Sequence, residues 1–109
     1  MTSTDPWVAI LVFRSTSDAP DYETHYREDL ADVRAGDEAG ARQAALAHAR
    51  AQEGAVVNQF GETIELSLVR VVDVAPALGP LESGGDLYAR HFRDLDAYRR
   101  FEPLMASTP

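Results

Sequence analysis

Cysteine and lysine are both absent from the 109 residues. Without cysteine there is no disulfide, no thiolate metal site and no thiol nucleophile. Without lysine there is no Schiff-base chemistry and no phosphate-loop lysine. Long hydrophobic runs are missing too, since nothing approaches the roughly 18 consecutive apolar residues of a membrane span. The start, Met1 to Pro6, has no basic region, so no secretory signal is expected and the cytoplasm is the expected location. Histidine occurs only as His25, His48 and His91. No two of them form an H-x-x-x-H or H-E-x-x-H pair, so no metal site is expected. No G-x-S-x-G elbow surrounds a serine, and Gly84-Gly85 is followed by no G-K-[ST]. No catalytic residue, cofactor or metal is assigned, and the chain leans away from being an enzyme.

What is present is acid. The formal net charge is −8. That balance argues against nucleic acid and against an anionic membrane surface as partners. The charge is uneven. Eight acids lie between Asp18 and Glu38 against Arg27 and Arg34, whereas Arg90, Arg93, Arg99 and Arg100 face only Asp94 and Asp96 between Leu87 and Arg100. Ordinary solvated faces would look like this. So would a self-associating surface with complementary potentials.

The length suits a single domain, 1–109, with its ordered core at about 7–103. Trp7 to Phe13 is a short, continuous apolar run and predicts a buried strand. Tyr22 to Arg34 predicts a polar edge strand. Asp37 is a fitting N-cap for a helix that runs through Glu53, with Gly54 as its C-cap. The apolar stripe of that helix is Ala41, Ala44, Ala45, His48 and Ala49, small enough for a close approach to a sheet. Ala55 to Phe60 and Thr63 to Val74 predict a hairpin turning at Gly61-Glu62. The second of these strands loses its alternation at Arg70, which a bulge or twist would explain. Ala75 to Asp86 is a Gly/Pro-rich loop. Leu87 to Phe92 predicts a fifth strand. Asp94 caps a short helix to about Phe101, ended by Pro103, and the tail 106–109 is expected to fray. The fold class is therefore α+β: a mostly antiparallel sheet of about five strands, one long helix packed on a face, and a short C-terminal helix.

Four segments carry a family resemblance: Trp7-Val8-Ala9-Ile10-Leu11, Asn58-Gln59-Phe60-Gly61-Glu62, Leu68 to Val74, and Leu87-Tyr88-Ala89-Arg90-His91-Phe92. Together, and in this order, they resemble the bacterial family known as domain of unknown function 4288. The resemblance runs from about Trp7 to Phe92, and the Asp94–Leu104 extension resembles only some members. It implies no activity, cofactor or catalytic residue.

The densest polar cluster is Tyr88, Arg90, His91 and Arg93, and Arg70 lies on the long strand expected to pair with it. On an extended segment Tyr88, Arg90 and Phe92 share one side. Arg70 and Arg90 together could grip a carboxylate or phosphate. Alternatively, each arginine pairs with an acid of the same domain, such as Glu65 or Asp73. The leading functional expectation is a non-enzymatic binding or interaction module, a homodimer with a possible protein partner. The alternative is a small anionic-ligand sensor or enzyme using the Arg70/Tyr88/Arg90/His91 cluster.

Overall fold

The computed structural model describes residues 4–80, 82 and 84–106. Four strands and two α-helices follow in the order β1 (Asp5–Ser17), β2 (His25–Ala35), α1 (Glu38–Gln52), β3 (Gly54–Val57), β4 (Thr63–Pro76) and α2 (Leu95–Phe101), with a 3-10 turn at Pro103–Ala106. The strands form one antiparallel sheet in the order β2-β1-β4-β3. Helix α1 covers one face. No helix among the described residues is long and apolar enough to cross a membrane.

The apolar run of β1 is central because both faces of the strand are used. Ala9, Leu11 and Phe13 point to α1 and are fully buried, while Val8 and Ile10 are buried on the opposite, second face. The polar β2 lies at the edge, as its composition predicts. Its Ala31, Val33 and Ala35 complete the core beneath α1.

Helix α1 starts at Asp37. The Asp37 carboxylate accepts the Gly40 N–H at 2.7 Å, satisfying one of the free donors of the first turn. Ala41, Ala45 and Ala49 recur at four-residue spacing and are fully buried. His48, expected on this stripe, is exposed instead and meets Gln52 at 2.7 Å. Three alanines suffice to fill the contact, so the neighbouring turn position stays in water.

The expected glycine cap is also corrected. Gly54 is the first residue of β3, and Glu53 ends the helix in an extended conformation. The Glu53 carboxylate accepts the Leu68 N–H at 2.8 Å and pairs with Arg50 at 2.9 Å. It thereby ties the helix end to β4 and sends the chain straight into a strand. The Leu68 N–H, and then the Arg50 hydrogen bond, hold the Glu53 carboxyl below its ordinary range. Folding thus favours the charged form. That contribution is present above the ordinary glutamate value, about 4.3, and is lost as the pH falls through the lower folded one. Glu53→Gln is expected to flatten the acid limb of stability against pH, read from urea midpoints at neutral and acid pH.

The hairpin between β3 and β4 turns where expected. Asn58 Oδ1 accepts the N–H groups of Phe60 and Glu62, and Gly61 has φ of 76°. Only glycine takes that left-handed conformation without cost.

The irregularity at Arg70 is a pair of bulges. The β1–β4 register slips once between Ile10 and Leu11 and again between Val12 and Phe13, leaving Val72 and Val69 without partners. Leu66, Leu68, Val71 and Val74 therefore face α1. Strict alternation would have placed Arg70 in that core. The first bulge turns it to the second face, and the second bulge restores the original phase.

The expected fifth strand does not form. Leu87–Phe92 runs as irregular chain and, together with α2, crosses the second face of the sheet. A bond from the Leu78 N–H to the Leu87 carbonyl closes the Gly/Pro-rich loop at its base. Side chains of the returning segment are spent on covering Ile10, so its backbone is not added to an edge. The short helix capped by Asp94 is present as expected, with Asp94 Oδ1 accepting the Ala97 N–H. The tail 107–109 lies outside the described residues.

Candidate functional site

The second face carries a groove of about 720 Å³. Its floor is Ile10 of β1 with Glu28 and Leu30 of β2. One wall is the returning segment, through Tyr88, Arg90, Phe92 and Arg93. The roof is α2, through Ala97, Tyr98 and Phe101, with Asp94 and Glu102 at its two ends. The volume is that of an ordinary small-molecule pocket.

Each part is positioned by local chemistry. Ile10 pairs with Leu30 across β1 and β2 and with Asp73 across β1 and β4. Asp73 thus stands on the second face, where its Oδ2 accepts the Tyr88 hydroxyl at 2.6 Å. This bond anchors the returning segment to the sheet. Phe92 and Tyr98 stack with ring centroids 4.9 Å apart and planes tilted by 7°, which joins the segment to α2. The hydrogen bond to Asp73 is the main reason the Tyr88 phenol is harder to ionise than usual; desolvation and the Asp73 charge add to it, and Arg90 opposes it.

Folding therefore favours the neutral phenol. The gain is whole below the ordinary tyrosine value of 10.0 and is lost as the pH rises through the higher folded value. Tyr88→Phe is expected to remove this alkaline loss, so that wild type and variant converge in stability above that pH. Urea midpoints at neutral and strongly alkaline pH check this.

Of the four residues of the expected site, two line the groove together, Tyr88 and Arg90, and Arg93 of the same polar cluster joins them. Arg70 is exposed on β4 opposite Val12, on the same sheet face but outside the groove. His91 is exposed and also lies outside it. Neither Arg70 nor Arg90 forms an ion pair with an acid among the described residues. Asp73 is taken by Tyr88 instead. His25 lies by Tyr22 and the Glu23 carbonyl, and His48 by Gln52. Among the described residues, no group of three or more acids and histidines could hold a metal ion.

Sequence reasoning missed Asp73 as the anchor of Tyr88, and Glu28 and Leu30 as the floor. The sidedness of Tyr88, Arg90 and Phe92 was legible, and all three line the groove although no strand forms.

A family model matches residues 7–89, under the description "Domain of unknown function (DUF4288)". The chain belongs to the DUF4288 family. The DUF4288 match takes in the sheet from Trp7 of β1 onward, α1 and Tyr88, and stops before Arg90 and α2. The roof of the groove therefore lies outside the part that the family model describes. No curated protein and no solved structure matches the chain.

Proposed function

We propose that this DUF4288 domain is a non-enzymatic interaction module that works as a homodimer. The observation that carries this reading is its surface. The chain exposes 8282 Å², where a folded monomer of 11.9 kDa exposes about 6,000 Å². Its radius of gyration is 17.1 Å, against about 13 Å for a monomeric domain near this length. The excess is well above the roughly 800 Å² that each partner gives to a standard interface. Large apolar side chains stand on this surface: Leu30, Phe60, Phe92, Phe101 and Leu104 are all more than half exposed. The sequence adds no nucleophile elbow, phosphate loop or metal motif that would favour catalysis. Native mass spectrometry tests the reading. A species of twice the polypeptide mass is expected, with nothing added. A monomer at every concentration would remove the reading.

A second reading, an anionic-ligand sensor or enzyme, draws support from the meeting of Tyr88 and Arg90 in the groove. Its signature would be a monomer whose melting temperature rises with added phosphate or a short carboxylate. Arg90→Ala would abolish that rise and leave the unliganded melting temperature unchanged.

A further inference from the structure

The groove joins large apolar side chains to charged ones of both signs, and its apolar side chains are left open. Helix α2 turns Ala97, Tyr98 and Phe101 toward Ile10 and Leu30. Yet no Cα of α2 comes within 8 Å of a Cα of any strand or of α1, so the helix stands off from the sheet it faces. Leu30 remains 68% exposed and Phe101 72%. A seven-residue helix is far too short to be stable alone in water. Its apolar side needs a partner that its own sheet does not supply.

Taking the homodimer reading as its basis, we infer that a second copy of this chain fills the groove. The two second faces and C-terminal arms meet about a twofold axis. Two observations favour this occupant. The excess surface is larger than what a standard dimer buries per partner. The groove is also self-complementary in charge: Arg90 and Arg93 line it with Glu28, Asp94 and Glu102. In an isologous contact the same patch serves both sides. A twofold axis can therefore set the arginines of one copy against the acids of the other. A protein of charge −8 resists self-association unless its contact surface offers such pairs. Another apolar exposure, Val56, Val57 and Phe60 on the β3 hairpin, offers an edge strand of only four residues.

Sedimentation equilibrium of the full chain tests the inference, using wild type, Leu30→Glu, Phe101→Asp and Val57→Glu. All three altered side chains are exposed, and unchanged circular dichroism confirms that each variant folds. Wild type and Val57→Glu are expected to be dimers. Leu30→Glu and Phe101→Asp are expected to weaken the dimer by roughly a hundred-fold, the size of effect seen at interface hot spots. A dimer that survives both groove variants but dissociates with Val57→Glu would overturn the groove as the seat and leave the homodimer reading standing. A wild-type monomer would overturn both. A monomer carrying a small molecule that Leu30→Glu loses would make the occupant a ligand and overturn the inference.

Discussion

Phe13→Ala is expected to cost about 3–5 kcal/mol of unfolding free energy, enough to unfold much of a marginally stable domain. Phe13 is fully buried on β1, and with Leu11 it is one of the two largest side chains so enclosed. It lies at the end of the core where β2 and α1 converge. There Arg27 covers its ring, with the guanidinium 5.1 Å from the ring centroid. The same guanidinium bonds Asp29 at 2.9 and 3.0 Å and the Gln52 side-chain oxygen at 3.0 Å. Truncation therefore leaves a cavity under a polar cover that is anchored on both sides. The surroundings cannot collapse easily into such a space, which puts the cost at the upper end for an aromatic deletion. Urea denaturation checks this: the midpoint falls sharply with little change in slope.

The opposite change on the facing helix is the second large effect. Ala45→Leu is expected to destabilise the fold by about 1–3 kcal/mol through overpacking. Ala45 is fully buried midway along the Ala41/Ala45/Ala49 stripe. The helix comes close to the sheet because these side chains end at Cβ, opposite Ala9, Ala31 and Ala35 as well as Leu11. Extra methyl groups would lift α1 and loosen its ties to the sheet through Glu53–Leu68 and Gln52–Arg27. Ala47→Leu, on the exposed side of the same helix, serves as control. It is expected to stay within about 0.5 kcal/mol of wild type.

These two positions mark what the sequence makes legible. Continuous apolar character in β1, a small-residue stripe in α1 and an Asn-Gln-Phe-Gly-Glu turn each report a local cause, and each element forms where that cause lies. The broken alternation at Arg70 also reported a real irregularity. Its form, two compensating bulges, depends on β1 as partner and could not be read from one strand. The fifth strand failed for a related reason. Tyr88, Arg90 and Phe92 alternate as strand residues do, but alternation states only that one side is covered. It does not say whether the backbone pairs. The groove was less legible than the fold. Tyr88 and Arg90 drew attention as polar residues close in sequence, whereas Asp73, Glu28 and Leu30 join them only through register across three strands. Arg70 and His91 share the neighbourhood in sequence but stand outside the groove.

Hydrogen–deuterium exchange across Ala97–Phe101 tests the central claim most directly, because α2 stands off from its own sheet, with no Cα within 8 Å of a strand Cα. A short helix left in water exchanges at nearly free-peptide rates. If a second copy covers it, its amides are protected at high protein concentration, and that protection fades on dilution to the point where the measured mass halves. Free-peptide exchange at every concentration would contradict the account.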